Sequence, residues 1–205
     1  MNLVDHPLVR VHVSAIRDRS SSVDVFRWHI TALARLMAFP VLQDLATTKV
    51  AIQTPLAATE GEQLLHEPVL VPVLRAGLGL VEGFRDVIPG SIVSHLGLYR
   101  DHETLKPVRY YTNFPENRRN HPFILLDPML ATGGSAVDAL DYLKEEGAQN
   151  IRLVSIIAAP QGIDLVRARH PDVAVYTACV DQGLDHNAYI VPGLGDAGDR
   201  QFGTM

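Results

Sequence analysis

An aspartate, two hydroxyl side chains and two adjacent glycines fall together in Asp127-Pro128-Met129-Leu130-Ala131-Thr132-Gly133-Gly134-Ser135. Glycines let consecutive backbone N–H groups close around an anion, and Thr132 and Ser135 add hydroxyl donors, so the second half of this stretch suits a phosphate. Asp127 would repel a phosphate, but it can accept hydrogen bonds from sugar hydroxyls. The combination points to a sugar phosphate. The plainer alternative is a strand–turn–helix corner capped by Asp127, which explains a lone Gly-Gly better than it explains acid, hydroxyls and glycines together. No Gly-Lys-Ser/Thr ending is present for a triphosphate, and the dinucleotide glycine spacing is missing as well.

Three other stretches could take part. Leu74-Arg75-Ala76-Gly77 sets an arginine among small residues, where backbone and guanidinium can approach an anion together. Arg100 stands at the end of an apolar run and could face the same anion from the other side. The tail Tyr189-Ile190-Val191-Pro192-Gly193-Leu194-Gly195-Asp196-Ala197-Gly198-Asp199-Arg200 contains a literal G-x-G-x-x-G, but too little chain follows for a βαβ unit. Its apolar residues and Pro192 suit an ordered loop that offers backbone N–H and C=O groups to a small planar ligand.

These residues need elements to place them. Phe123 to Leu126 is a continuous apolar run, expected to be a buried strand. The helix after it carries Val137, Leu140 and Leu143 on one face and stops at Gly147. Strands are also expected at Val69–Leu74, Ser91–Leu98, Ile151–Ala158 and Val173–Cys179, with helices running to about Val87 and over Ile163–His170. Alternating strand and helix implies a parallel sheet with helices on both faces and ligands at the carboxyl ends of its strands. Arg75, Arg100, Asp127, Pro160 and Asp181 all fall at such ends. Residues 101–120 form a long polar connection of the kind that serves as a lid or is disordered. Ahead of the alternation, Phe26, Ile30, Leu33 and Met37 share a helix face that Pro40 ends or kinks, and no strand is expected before it. Lys49–Thr54 and Glu62–Leu65 resemble a hairpin arm able to reach a second subunit.

Composition narrows the function classes. At 205 residues and 47% hydrophobic, the chain suits one domain. A net charge of −5 argues against nucleic-acid and membrane-surface partners. The single cysteine, Cys179, lies in an apolar run and reads as a core thiol in a reducing compartment. The nine histidines are scattered, so no dedicated protein-built metal site is expected. No signal peptide or segment of membrane-spanning length is expected, which points to the cytoplasm.

The motifs Val71-Pro72-Val73-Leu74-Arg75-Ala76-Gly77-Leu78-Gly79, Asp127 to Ser135, Ala158-Ala159-Pro160-Gln161-Gly162, Asp181-Gln182-Gly183-Leu184 and Tyr189 to Arg200 with Phe202-Gly203-Thr204 resemble the uracil branch of the type I phosphoribosyltransferases. Pro128 after Asp127, where most type I members have a second acid, is itself typical of that branch. The resemblance runs in order from about His6 to the C-terminus and is loose before Pro68. It implies an α/β fold with a central mostly parallel sheet, an N-terminal helix and β-arm (1–67), a core (68–180) and a C-terminal base-binding hood (181–205) in a single domain. It also implies transfer of the phosphoribosyl group of 5-phosphoribosyl 1-diphosphate (PRPP) to uracil, giving UMP and diphosphate in pyrimidine salvage. By resemblance, Arg75 and Arg100 bind the diphosphate and Asp127 to Ser135 hold the ribose and 5-phosphate. Ile190 with Gly195, Asp196 and Ala197 bind uracil, and Asp196, expected to contact PRPP as well, is the candidate for orienting the base or taking its N1 proton. Mg²⁺ is expected with the diphosphate, mostly through water, and a homodimer or higher homo-oligomer is expected; the resemblance leaves room for GTP as an allosteric activator. There are two departures. Asn113 stands where the family usually has a lysine, and Met37-Ala38-Phe39-Pro40 replaces a helix end that usually carries Tyr-Glu-Ala. Two rivals remain open: an RNA-binding regulator that kept the sugar site, and a purely structural subunit.

Overall fold

The computed structural model describes residues 1–100, 107–111, 113–116 and 118–204. The first third holds β1 (Asn2–Leu3), α1 (Pro7–Arg17), α2 (Val23–Leu42), β2 (Thr47–Gln53) and β3 (Ala58–Leu64). Next come β4 (Val69–Pro72), α3 (Leu78–Val87), β5 (Ile92–Val93), β6 (Gly97–Arg100), β7 (Pro107–Tyr111), β8 (Pro122–Leu126) and β9 (Met129–Leu130). The chain continues through α4 (Gly134–Glu145), β10 (Asn150–Ala158), α5 (Pro160–Arg169) and β11 (Ala174–Val180), and ends with β12 (Gly183–Leu184), β13 (Ile190–Val191) and α6 (Ala197–Phe202).

The main sheet has seven strands in the order β1-β11-β10-β8-β4-β5, with β9 also paired to β10, and every pairing in it is parallel. Its centre reads as unbroken apolar runs because both faces are covered. Alternate side chains sort to opposite sides. Leu70, Ile124, Leu126, Val154 and Tyr176 join a core with α1, α2, α3 and α6, while Val69, Val71, Phe123, Leu125, Leu153 and Val175 join a second core with α4 and α5. The α/β architecture with a parallel sheet is the one expected.

Helix α2 shows what drives the first core. Phe26, Ile30, Leu33 and Met37 recur at helical spacing and are fully buried, each contributing about 1.5–3 kcal/mol by leaving water. Pro40 lies inside the helix rather than ending it. The hydrogen bond it removes falls in the last turn, and Val41 beyond it is fully buried. By length and composition this helix could cross a membrane, contrary to the sequence expectation, yet 44% of its most apolar window is buried inside the protein. It is a core helix that happens to be long.

Two further expectations change. β1 and α1 precede α2, so that helix is not ahead of every strand. Two residues make too short a strand to show a period, and β1 is held by its register with Tyr176 and Thr177. The expected single strand from Ser91 divides instead: β5 stays on the sheet, Leu96 bridges Val73, and β6 leaves to pair antiparallel with β7. The break falls at buried Ser94, which donates from Oγ to the Asn113 carbonyl at 2.5 Å. The rest of the long connection, residues 101–106, 112 and 117, lies outside the described residues. The expected hairpin is present as β2 and β3, seven residues each, and is exposed along most of its length.

Candidate active site

The sheet delivers two loops to one place. The strand end of β8 and the loop after β4 are clamped together, with Val73 N–H donating to the Leu126 carbonyl at 2.9 Å. Gly77 makes this approach available: a Cβ there would lie 2.3 Å from the Leu126 oxygen and 2.6 Å from Val73 N. The Arg75 loop is therefore seated directly beside Asp127.

After Asp127 the chain makes β9, whose two residues are too few to show a period. The Pro128 carbonyl accepts from Ile156 and Ile157 N–H, and the Leu130 carbonyl accepts from Ala159 N–H at 2.8 Å. The turn into α4 then packs on the start of α5. A Cβ on Gly162 would stand 2.5 Å from the Ala131 oxygen, so glycine is required at that contact. α4 opens at Gly134, with Gly133 at φ +86° as its cap. The first N–H groups of a helix lack intrahelical carbonyl partners, and here that of Gly134 reaches Thr132 Oγ1 at 3.4 Å.

A cavity of about 70 Å³ lies in this loop, lined by Asp127, Met129, Leu130, Ala131, Thr132, Gly133, Ser135 and Ala136. The Asp127 carboxylate accepts from Met129 N–H at 3.3 Å. Burial in the dense shell around it pushes its carboxyl from 3.8 up to about 6, against the smaller opposing effect of that hydrogen bond. Its surface is open only in part.

A second cavity, of about 230 Å³, adjoins the first and shares Met129 and Ala131 with it. It is lined by Ile190, Gly195, Asp196, Ala197 and Gly198 of the tail, with Ala188, Tyr189 and Ala76. Its size falls below the roughly 300–1,000 Å³ of pockets for drug-sized ligands and suits one small ring. Asp196 caps α6 by accepting from Asp199 N–H at 2.8 Å.

The tail is ordered, as its composition suggested, and it is anchored at several points. Arg200 is buried and donates to the carbonyls of Leu194 (2.9 Å), Asp18 (2.6 Å) and Ile16, with its guanidinium 4.5 Å from the centre of the Phe26 ring. The Gln201 amide, turned to satisfy both of its groups, donates to the Ala76 carbonyl at 3.2 Å and accepts from Gly79 N–H at 2.9 Å. This contact accounts for Gly79, where a Cβ would meet that amide at 2.3 Å. The glycines of Ala76-Gly77-Leu78-Gly79 thus serve packing of the tail and of β8.

Of the residues singled out in the sequence, Asp127, Met129 to Gly133, Ser135, Ile190 and Gly195 to Ala197 border the two cavities. Pro128 and Gly134 lie in the same loop without lining either. Arg75 is exposed and points across to α6, pairing with Asp199 at 2.9 Å. Arg100 ends β6, but its side chain lies outside the described residues. Cys179 is half-buried and not a core thiol: its Sγ lies 3.2 Å from Arg17 Nη2 and 3.4 Å from Asp181. Ala76, Ala188 and Tyr189 were not singled out as ligand contacts. Small or apolar residues carry no chemical signature, and Ala188 takes its place by a backbone turn at φ +65°.

Comparison with known proteins identifies the family. The family model for uracil phosphoribosyltransferase matches residues 3–204. Curated uracil phosphoribosyltransferases of Thermoanaerobacter sp. and Finegoldia magna are 49% and 48% identical, covering 98% and 100% of this chain and 97% and 98% of their own. A solved structure of an Aquifex aeolicus protein superposes with a TM-score of 0.91 at 33% identity, over 98% of this chain and 97% of that one. The adenine phosphoribosyltransferase of Leishmania donovani, 13% identical with a TM-score of 0.55 over 89% of this chain and 84% of its own, shares the fold alone. With a family model matched from end to end and relatives identical at nearly half of all positions, the chain belongs to the uracil phosphoribosyltransferase family.

Proposed function

We propose that the chain transfers the phosphoribosyl group of PRPP to N1 of uracil, giving UMP and diphosphate in pyrimidine salvage. The observation that carries this reading is the pair of adjoining cavities, one polar and phosphate-sized beside Asp127, the other small, largely apolar and edged by the tail.

In this reaction positive charge develops on the sugar ring as diphosphate departs, so the protein has to fix the ribose, stabilise the leaving group and hold the base in line. Ionised Asp127 accepts from the ribose hydroxyls. Thr132, Ser135 and the loop amides at the start of α4 hold the 5-phosphate, with Pro128 and Gly134 shaping the loop. Arg75 and Arg100 take the diphosphate. Uracil lies beside Ala76, Ile190 and Gly195–Ala197, where backbone N–H and C=O groups match its two carbonyls and N3–H. Asp196 orients the base or accepts its N1 proton. No protein nucleophile is required.

Among the described residues no group of three or more His, Cys, Asp and Glu side chains could hold a metal ion. Mg²⁺ in this reading is an ion carried by the diphosphate and completed by water. When bound there it neutralises charge on the leaving group. The same reading makes 1–67 a helix and arm, 68–180 the core and 181–205 the hood of one cytoplasmic, homo-oligomeric enzyme, with GTP a candidate activator.

The test is a scan of free bases with PRPP and Mg²⁺, following diphosphate release. Uracil should be used at least about 10⁴-fold better than cytosine, whose amino group and N3 would oppose buried donors and acceptors. Equal or better use of cytosine, or no release with uracil, would overturn the assignment.

A further inference from the structure

One ion pair holds both backbone polar groups of Gly193. Asp181, which follows β11 and is 8% exposed, accepts the Gly193 N–H at Oδ2 at 2.9 Å. Arg17, the last residue of α1, donates from Nη1 to that same Oδ2 at 2.8 Å and to the Gly193 carbonyl at 2.9 Å, while its Nη2 reaches Asp181 Oδ1. Neither Arg17 nor Asp181 lines the base cavity. Gly193 does not line it either, but it lies between Ile190 and Gly195, which do. The turn there is tight: Gly193 has φ +59°, and a Cβ on it would come 2.0 Å from the Ile190 carbonyl.

Burial works to raise the Asp181 carboxyl, but the bonds from Arg17 and Gly193 outweigh it and hold the group below the usual carboxylate range, so the pair is charged. A buried charged pair is poor evidence for stability, because desolvation offsets the attraction; fixing a register is a better-attested role. Here the register is that of the turn from Ile190 to Gly195. The planar fork of arginine suits it, satisfying a carboxylate on one side and a carbonyl on the other.

We propose that Arg17 and Asp181 are positioning residues that set the base-recognition turn, controlling uracil affinity without touching the base. This rests on the assignment of the 230 Å³ cavity to uracil. The sugar-phosphate loop is built from β8 to α4, a separate stretch of chain, so loss of the pair should act on one substrate and spare the other.

The test uses the full chain with Arg17→Ala, Arg17→Lys and Asp181→Asn. KM for uracil should rise at least about tenfold in Arg17→Ala and Asp181→Asn, and by less in Arg17→Lys, which keeps the charge without the fork. The Kd of PRPP with Mg²⁺, by calorimetry, should stay within about twofold. Arg17 borders an open cavity of about 520 Å³ together with Cys179 and Val180. Guanidinium ion at non-denaturing concentration should therefore lower the uracil KM of Arg17→Ala, a rescue that general damage would not show. Amide hydrogen exchange at Gly193 should accelerate in every variant, whichever base the enzyme uses. An unchanged uracil KM in a folded variant, a parallel rise of uracil KM and PRPP Kd, or unchanged exchange at Gly193 overturns the proposal. Wild-type protein inactive with uracil sinks the substrate assignment instead, and the exchange measurement then decides the role of the pair.

Discussion

The Arg75 guanidinium donates to the Asp199 carboxylate across 2.9 Å, tying the loop after β4 to helix α6. The guanidinium also lies 5.8 Å from the centre of the Phe202 ring. Both partners are substantially exposed, 56% and 36% by side chain, and exposed pairs of this kind contribute little to stability. Arg75 is thus tied to α6 by an exposed partner, which on the proposed assignment an incoming diphosphate displaces.

Arg75→Ala should accordingly cost activity and not stability. Charged hydrogen bonds are worth about 1.5–3 kcal/mol, so kcat/KM for PRPP should fall at least about tenfold. The melting temperature should barely move. Steady-state kinetics beside a thermal scan checks both, and unchanged kinetics in the folded variant removes Arg75 from the site.

Asp127 gives a prediction with two signs. Its carboxyl moves from 3.8 to about 6 on folding, so the fold favours the protonated form. That contribution is fully present below about pH 3.8 and lost as pH rises through about 6, amounting to up to about 3 kcal/mol. On the proposed assignment activity runs the other way, because protonation turns one acceptor oxygen facing the ribose hydroxyls into a donor. kcat/KM for PRPP should therefore rise through about pH 6, with proton release on PRPP binding near that pH. Asp127→Asn should abolish the release, collapse activity and raise the melting temperature at pH 8 but not at pH 4. Destabilisation at pH 8 would favour the plain capping role.

Gly162→Ala should damage the sugar-phosphate loop from a distance. The new Cβ would stand 2.5 Å from the Ala131 carbonyl and 2.9 Å from that of Leu130, both backbone atoms that cannot swing aside. Overpacking of this kind costs roughly 1–3 kcal/mol. Thermal unfolding should show the loss, and calorimetry should show weaker PRPP binding. Unaltered PRPP affinity would mean that the loop tolerates displacement.

Ala76→Leu should separate the two substrates. Ala76 borders the 230 Å³ cavity but not the smaller one. A bulkier side chain there should raise KM for uracil at least about tenfold while PRPP affinity holds. Parallel measurement of both constants checks it, and an equal loss in both would place Ala76 elsewhere in the reaction.

The central strands were legible because residues buried on both faces leave unbroken apolar runs, as in Phe123 to Leu126. That Asp127 and Ser135 meet at one cavity was legible because an acid at a strand end and a hydroxyl beside paired glycines mark such a loop. Arg17 was not: its neighbour in sequence is Asp18, while the carboxylate it serves is Asp181, brought to it only when α1 packs beside β11. Asp199, the partner of Arg75, was hidden for the same reason. β9 escaped because two residues carry no period, and the split between β5 and β6 escaped because it depends on β7, which lies further along the chain and draws β6 off the sheet.

The two cavities have Met129 and Ala131 in common, and the rest of each comes from different stretches of the chain. That separation has an evolutionary and engineering reading. On the proposed assignment, substitutions at 76, 188–190 and 195–198 alter which ring is accepted while leaving most of the loop from Asp127 to Ser135 untouched, so base preference can drift without re-inventing the sugar-phosphate grip. A library confined to those positions is the natural place to look for acceptance of modified pyrimidines, whereas changes at Met129 or Ala131 would tax both substrates at once.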